Sequence, residues 1–373
     1  MALRSALRHA IGKRAGLTSG VLGMLCVLAE LCFLFPDILV TKDALPIYLA
    51  NIELFRGILL TSIVMTLVLG GLGVLLSRPN RRGLMGIILA VTALLMGGAE
   101  AQAVNFGMPR AFTVGLDYFV LELLVLALIF VPLEGLFPLR KQNVLREGWQ
   151  TDIKHFFVSH VGVQLVSFAA LIPTQVFFAW AVKLDFQQAV AAQPLWLQFI
   201  ELIICVDLAT YWIHRAFHQV PWLWGFHAIH HSSLKMDWLA GSRMHVVDVL
   251  ITRSVSFLPI FLLGFSPAAL YVYLVFVSFH AVFIHANLHW RFPGLRWVIS
   301  TPEYHHWHHS SDEEGIDKNF ASFLPIWDLL FRTAHQPDHW PRNYGTVKFQ
   351  PPETYLGQLV YPFRRKGKKT PYG

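Results

Sequence analysis

Charged residues are scarce in this chain. Only 14% of its 373 residues are Asp, Glu, Lys or Arg, against 55% that are hydrophobic, and the mean hydropathy is +0.49. Soluble globular domains carry about 25% charged residues. The composition therefore excludes an ordinary soluble domain and predicts a multi-span membrane protein.

Cysteine is almost absent as well. Cys26, Cys32 and Cys205 all fall in apolar stretches, so neither a disulfide framework nor a thiolate metal site is indicated. A metal site would have to be built from histidine, of which the chain has 18. The basic run RRKGKK at 364–369 is expected near anionic lipid. No nucleic-acid-reading module accompanies it, so we expect no nucleic-acid partner.

Apolar stretches of roughly 20 residues, the length that crosses a bilayer, predict an all-α, polytopic membrane bundle. About six spans and a helical hairpin are expected. The spans are predicted at Thr18 to Phe35, Ile58 to Leu76, Gly83 to Ala99, Tyr118 to Leu133, Phe156 to Val182 and Leu195 to Ile213. The hairpin is predicted at Val249 to Gly264 and Pro267 to Ile284. We interpret the basic and then apolar N-terminal segment as a retained first span, because no small-residue cleavage site follows it.

The distribution of Lys and Arg predicts how the bundle is oriented, because short cytoplasmic loops collect these residues. With a cytoplasmic N-terminus, the inside segments up to the fifth span hold eleven of them and the outside loops up to the sixth span hold four. The inside residues are Arg4, Arg8, Lys13, Arg14, Arg78, Arg81, Arg82, Arg140, Lys141, Arg146 and Lys154, and the outside ones are Lys42, Arg56, Arg110 and Lys183. We therefore expect both termini in the cytoplasm.

Histidine is concentrated in four short clusters, HRAFH, HAIHH, HANLH and HHWHH. All four fall at the predicted cytoplasmic face, as a histidine-rich helical cap. Residues three or four apart on a helix project from one face, and this spacing recurs within each cluster. The predicted metal ligands are His214, His218, His227, His230, His231, His285, His289, His305, His308 and His309.

Ten histidines are too many ligands for one ion. Two ions about 3.5 to 4 Å apart, as in other binuclear sites, could share them at about five nitrogens each. Imidazole suits iron, zinc, copper and nickel, so the donor type does not select the metal. Because zinc is redox-inert and its structural sites close with four ligands, iron used for O₂ chemistry is the favoured interpretation.

Other polar residues near the clusters are expected to support the ligands. Asp207 lies seven residues before His214 on the same helix face, where it could accept the second N–H of a ligand histidine or bond Tyr211 or another helix instead. His306 falls outside the H-x-x-H-H register and is expected to be a neighbour of the ligands. His280 is expected to be a satisfied core residue. The remaining histidines without a partner at metal spacing are His9, His155, His160, His335 and His339.

The sequence motifs DLATYWIHRAFH, HAIHHSS, DWLAGSRMH, HANLH and TPEYHHWHHS, followed by NF and WDLLFRT, resemble the fatty acid hydroxylase and sterol desaturase superfamily of integral-membrane enzymes. The resemblance implies a cytoplasmic di-iron centre that uses O₂ to oxidise unactivated C–H bonds of lipids, by hydroxylation or desaturation. It also places His245, in the R-x-H element, beside the ligands. Two departures, Val246 with Asp248 after His245 and Arg332 in WDLLFRT, leave the four clusters intact.

The resemblance gives a domain division with a catalytic domain at 146–335, an N-terminal transmembrane region at 1–139 and a basic cytoplasmic tail at 336–373. The sequence has no Gly-rich dinucleotide fingerprint and no iron–sulfur cysteine motif. Electrons are therefore expected from a ferredoxin or small cytochrome with its reductase. The expected substrate is a membrane lipid, either sterol-like and polycyclic or fatty acyl.

Two other functions compete with this interpretation. A membrane zinc hydrolase is expected to show an H-E-x-x-H box with a general-base carboxylate, and the sequence has none. A metal-binding or transport protein is expected to have polar residues along a path through the bilayer, where only His280 and Asp207 are available. Both alternatives predict bound metal without oxidation of lipid.

Overall fold

The computed structural model describes residues 2–41, 44–77, 79–103 and 113–364. Throughout that part of the chain the regular structure is helical, and the only β-type pairings are two isolated bridges. The predicted all-α fold is thus confirmed. The chain divides into two compact units, one ending at Leu124 and the other beginning at Val125. The domain boundaries predicted from the sequence stay predictions, and residues 365–373 of the basic tail lie outside the described residues.

The N-terminal unit is built on three long helices that pack through small side chains. Its helices are α1 (Ala2–Leu34), α2 (Pro36–Leu39), α3 (Leu45–Ala50), α4 (Ile52–Leu76) and α5 (Arg81–Met96). A Cβ added at Gly73 of α4 would lie 2.9 Å from the Cα of Gly16 in α1, so these backbones are in direct contact. Such close approach through small residues is typical of helix packing in membranes.

The C-terminal unit contains most of the remaining helices, and α6 (Leu116–Leu136) runs across the division between the units. The others are α7 (Trp149–Phe178), α8 (Leu184–Ala191), α9 (Leu195–Gln219), α10 (Pro221–His227), α11 (Val246–Leu263), α12 (Pro267–His285), α13 (Pro302–His308), α14 (Ile326–Leu330) and α15 (Tyr355–Arg364). Short 3₁₀ turns follow α10 and precede α11.

Among the described residues, seven helices are long and apolar enough to cross a membrane: α1 from Ser5, α4, α5 extended to Glu100, α6, α9, α11 and α12. They correspond to five of the six predicted spans and to both helices of the predicted hairpin. The remaining predicted span, Phe156 to Val182, falls mostly on α7, which has 30 residues. Because the side chains at 161 and 163–174 lie outside the described ones, this span stays a prediction. The chain is therefore an integral membrane protein.

The helices α9, α11 and α12 bring together the ends that carry histidines or lie beside them. Leu202 and Val206 of α9 pack against Ala269 and Tyr273 of α12 in one buried cluster. Because the first halves of the two helices pack together, both helices end on the same side of the unit. There α9 carries its two histidines and α12 ends at its own, while α11 starts at the same level. The Ser266 hydroxyl accepts the Ala269 N–H and so caps α12 at the far end.

Candidate metal centre

The structure brings nine of the ten predicted ligand histidines together in two adjoining groups. In each group the ligand nitrogens all lie within 4.8 Å of one another, and every residue is buried. The five-histidine group is His214, His218, His227, His231 and His308, and the four-histidine group is His230, His285, His305 and His309. The rings of His231 and His309, one from each group, stack with centroids 4.4 Å apart. Two bound ions would therefore be neighbours.

The two H-x-x-H-H motifs contribute to both groups in a reciprocal way. His227 and His231, four apart, belong to the five-histidine group, whereas His230 between them belongs to the other. In the second motif His305 and His309 share the four-histidine group, and His308 crosses to the five-histidine group. Each motif therefore supplies an i, i+4 pair to one site and a single ring to the other, which holds the two sites side by side.

Hydrogen bonds at Nδ1 fix which ring nitrogen faces each group. The Nδ1 atoms of His214 and His308 lie 2.7 and 2.8 Å from the carbonyl oxygens of Phe320 and Lys318. A carbonyl only accepts, so each Nδ1 carries the proton and, in a neutral ring, Nε2 presents a lone pair. Four further rings are held in the same way, with Nδ1 of His227 facing Asp248, of His218 facing Asp317, of His230 facing the Arg243 carbonyl and of His285 facing the Ala281 carbonyl.

The spacing of these lone pairs fits a cation between them. Nε2 of His214 and Nε2 of His227 are 3.0 Å apart, and Nε2 of His285 and Nε2 of His230 are 3.4 Å apart. Neither pair can form a hydrogen bond, since both of its Nδ1 atoms carry the protons. Metal–nitrogen bonds of about 2.1 Å place adjacent ligand nitrogens about 3.0 to 3.4 Å apart. Nε2 of His218, His231 and His308 is buried without any hydrogen-bond partner, which a bound ion would supply.

Burial also keeps the imidazoles in the form that binds metal. Desolvation lowers the pKa of His230, His231, His305 and His309 well below the usual value, and neighbouring histidines lower it further. Burial lowers the pKa of His308 to about 3. These rings are therefore neutral near pH 7, as metal ligation requires.

His289 is the predicted ligand that does not reach either group. The prediction assumed that His285 and His289 lie on one helix, but α12 ends at His285 and Ala286 is extended. His289 is exposed, and its Nδ1 faces the Phe137 carbonyl at 3.0 Å. The i, i+4 argument therefore fails here, because the residues after His285 are no longer helical.

Asp207 contacts neither a ligand histidine nor Tyr211, the two named partners expected from the sequence. Its carboxylate accepts the backbone N–H groups of Ser322, Phe323 and Leu324 at 2.7 to 3.1 Å. The Tyr211 hydroxyl pairs with Thr333 instead. Asp207 thus anchors the loop that follows Phe320, and the Phe320 carbonyl in turn orients His214.

Asp328 anchors the same loop from its other side. Its carboxylate accepts the N–H groups of Phe320 and Ala321 at 2.8 Å and the Tyr304 hydroxyl at 2.7 Å. Tyr304 precedes His305 in α13, so Asp328 ties the loop to the helix that carries the second H-x-x-H-H motif. The sequence interpretation quoted WDLLFRT without assigning a role to this aspartate.

The substitution Asp207→Asn should destabilise the five-histidine group. In the variant, the asparagine NH₂ would face a backbone N–H that donates to a carboxylate oxygen of Asp207 in the unmodified protein. Each hydrogen bond to a charged group that is lost in this way costs about 1.5 to 3 kcal/mol. We expect a lower unfolding temperature and about tenfold weaker metal retention, measured by thermal unfolding and by chelator competition. Asp185→Asn, an exposed aspartate in α8, is the matched control. Unchanged metal retention in Asp207→Asn would contradict this role of the loop.

His306 and His245 lie beside the groups without belonging to them. Nε2 of His306 faces the Ala286 carbonyl at 3.1 Å, and its Nδ1 faces the Tyr344 hydroxyl at 2.8 Å. His245 caps α11, since its Nδ1 accepts the Val247 N–H at 3.1 Å. Their roles as supporting residues stay predictions. The remaining histidines belong to neither group: His9, His155, His160, His280, His335 and His339.

Besides the partly exposed Asp317, which faces His218, a buried carboxylate contacts a ligand, and it belongs to Asp248. Its Oδ2 accepts the Nδ1–H of His227 at 2.8 Å, with both residues buried. Carboxylate partners of this kind orient metal-binding histidines and increase their basicity. Sequence reasoning noted Asp248 only as a departure from the family pattern. The missed signal was its position three residues after His245, in the first turn of α11.

The DWLAGSRMH segment forms a tight turn against the four-histidine group. Asp237 accepts the N–H groups of Leu239 and Ala240 and starts the turn. Gly241 then passes so close to His285 that an added Cβ would lie 2.6 Å from its Nδ1. The Arg243 carbonyl accepts from His230. Any side chain at position 241 would displace the His285 ring.

Buried charges hold this turn to the start of α7. The Arg146 guanidinium pairs with Asp152 and Asp237 at 2.7 Å each, and Arg243 pairs with the other oxygen of Asp152. All four side chains are at least 90% buried. Removing one member would leave an unpaired buried charge, which is strongly destabilising. This network explains why the REGWQTDIKH segment accompanies the histidine clusters.

The candidate metal centre lies in a part of the chain that is similar to known proteins. A family model described as fatty acid hydroxylase matches residues 199–333, which include both histidine groups. The chain is 32% identical to ornithine lipid hydroxylase OlsE of Rhizobium tropici over 249 residues, covering 63% of this chain and 72% of that protein. It is 34% identical to alkylglycerol monooxygenase of Homo sapiens over 129 residues, covering 34% of this chain and 28% of that protein. No solved structure matches.

Proposed function

Because the chain belongs to the fatty acid hydroxylase and sterol desaturase superfamily, we propose that it is an O₂-dependent lipid hydroxylase of the membrane. The observation that carries the proposal is the convergence of nine buried histidines in two adjoining groups at one end of membrane-length helices. The proposed metal is iron, with one ion in each group. When bound, the two ions would activate O₂ and oxidise a C–H bond of the lipid.

The protein's own residues prepare this chemistry in three ways. Backbone carbonyls and Asp248 hold the Nδ1 protons and turn Nε2 of the ligands toward each group. Burial of every ligand limits the access of bulk water, so that reactive oxygen species are not lost to side reactions. The position of the groups at the ends of α9 and α12 lets a lipid remain in the bilayer while its chain approaches the centre.

The proposed substrate is a polar lipid with an acyl or alkyl chain. Two relatives are named for hydroxylation or monooxygenation of such lipids, an ornithine lipid and an alkylglycerol. Hydroxylation is favoured over desaturation on the same basis. One oxygen atom of O₂ enters the lipid as the hydroxyl group and the other leaves as water. Each turnover therefore consumes two electrons and two protons beyond those of the substrate.

The excess of Lys and Arg in the segments on the N-terminal side of the membrane supports an orientation for the centre. We propose that the histidine groups and both termini face the cytoplasm, where reduced electron carriers are available. A ferredoxin or small cytochrome with its reductase would supply the electrons.

Reconstitution in lipid tests the proposed reaction. The iron-loaded protein, with O₂ and lipid extract alone, should not turn over repeatedly, and an added reductase with its carrier should start sustained hydroxylation. Mass spectrometry with isotopically labelled O₂ should find one labelled oxygen atom in the lipid product. Sustained turnover without any electron donor, or equal activity with zinc and without O₂, would instead support a zinc hydrolase.

A further inference from the structure

A groove lies on the surface of the C-terminal unit, between the segment after α6 and the segment after the HAIHH cluster. Its volume is about 730 Å³. The residues that line it are Arg140, Lys141, Gln142, Asn143, Leu145, Arg146, Glu147, Leu234 and Lys235. None of them is a histidine of either group, and the hydroxylation proposed above assigns the groove no role.

The charge presented by this groove is positive. Lys141 and Lys235 are exposed, and within the described ranges neither ammonium has an ion-pair partner. Arg140 is fixed in place, because its guanidinium donates to the carbonyls of Pro341 and Arg342. Arg146 is already paired with buried aspartates, and Glu147 is the one acidic residue of the lining. The free charges of the groove are therefore predominantly cationic.

Apolar side chains accompany these charges. Leu145 is 44% exposed and Leu234 is 59% exposed, and both line the groove. Exposed apolar residues next to unpaired charges are typical of transient protein interfaces, in which opposite charge on the partner steers the encounter. The chemistry of the groove thus fits an acidic protein surface.

The groove is connected to both histidine groups. One connection is a short stretch of sequence, and the other is a series of hydrogen bonds. Lys235 follows His231 by four residues, and Leu234 follows it by three. In addition, Arg146 in the groove wall bonds Asp152, which bonds Arg243, and the Arg243 carbonyl accepts from His230. The 231–235 segment therefore leads from the groove to the five-histidine group, and the hydrogen bonds through Arg243 lead to the four-histidine group.

We propose that this basic groove docks an acidic, one-electron carrier protein. The proposal rests on the proposed function, because hydroxylation consumes two electrons and the chain has no redox motif besides its histidines. The carrier is oxidised by one electron in each of two encounters, and the electrons pass to the centre through the 231–235 segment and the Arg146–Asp152–Arg243 network. The competing occupant of such a groove is an anionic lipid headgroup.

Binding measurements test the docking directly. The full chain, held in nanodiscs of zwitterionic lipid, is titrated with an acidic [2Fe–2S] ferredoxin at several salt concentrations. We expect Lys141→Glu and Lys235→Glu each to raise Kd by about tenfold at low salt, a change of about 1.4 kcal/mol, and to reduce the salt dependence of Kd. Glu147→Lys should lower Kd. The same charge change in Lys183→Glu, an exposed residue beside α8 at the opposite end of α9, should have little effect.

A small reductant separates docking from catalysis. The protein is reduced with dithionite in the absence of O₂, the excess is removed, and O₂ is then added. In this single turnover Lys141→Glu and Lys235→Glu should hydroxylate lipid as fast as the unmodified protein. If the unmodified protein fails with dithionite, the proposed function is wrong, while the Kd series still reports on docking. Equal Kd values for all variants, or no salt-sensitive binding by the unmodified protein, would overturn the docking proposal. Unchanged carrier binding together with lost affinity for anionic vesicles would assign the groove to lipid headgroups.

Discussion

Replacing His308 with alanine should abolish lipid hydroxylation. His308 belongs to the five-histidine group, where its buried Nε2 has no hydrogen-bond partner and its Nδ1 is held by the Lys318 carbonyl. The alanine variant loses one ligand and leaves an open position beside the second ion. His309→Ala makes the equivalent change in the four-histidine group. We expect turnover by either variant to be undetectable by mass spectrometry of the lipid product.

The matched control for this pair is His289→Ala. His289 is in the HANLH cluster but outside both groups, and it is exposed, so its replacement should retain most of the activity. Thermal unfolding of all three variants in the metal-free state separates loss of ligands from loss of folding. Full activity of His308→Ala, or inactivity of His289→Ala with its fold intact, would contradict the assignment of ligands.

Replacing Asp248 with alanine should lower metal affinity and activity by about 10- to 100-fold, the range found when a carboxylate behind a ligand histidine is removed. The change leaves the buried Nδ1–H of His227 without an acceptor and removes the partner of the Thr252 hydroxyl. Chelator competition on the iron-loaded protein measures the affinity, and single-turnover hydroxylation measures the activity.

The variant Asp248→Asn distinguishes orientation from mere packing. Asparagine keeps the size of the side chain and one oxygen that can accept from His227, so it should restore part of the affinity lost in Asp248→Ala. Thr252→Val removes the neighbouring hydroxyl but leaves the carboxylate in contact with His227, and it should retain metal. Equal metal affinity in Asp248→Ala and the unmodified protein would show that this contact does not support the ligand.

The spans and the histidine-rich face were predictable because each depends on local chain properties. Apolar stretches long enough to cross a bilayer, and histidines repeated at helical spacing, appear directly in the sequence. His289 lies outside both groups because α12 ends at His285, and the end of this helix depends on a tertiary contact. The side chain of Asn287 pairs with the backbone N–H and carbonyl of Arg140, and this pairing holds the chain in a non-helical conformation after His285.

The division of the H-x-x-H-H motifs between two groups could not be predicted from spacing alone. Helical spacing indicates that His227 and His231 share a face, but it does not say which other rings meet them. The same limit applied to the carboxylates. Asp207 has the correct spacing from His214 yet contacts a loop more than a hundred residues later, whereas Asp248 contacts a ligand from another helix. Such partners are set by helix packing, which single-sequence periodicity does not encode.

The most direct test of a two-ion centre is the metal content of the purified, reconstituted protein. Iron and zinc per chain are measured for the unmodified protein and for variants that lack one histidine of each group, His308→Ala and His309→Ala. The two adjoining groups predict two iron ions per chain in the unmodified protein and less bound iron in each variant. One tightly bound ion per chain, or a full complement of metal after both histidines are removed together, would contradict the assignment of the nine histidines to a binuclear centre.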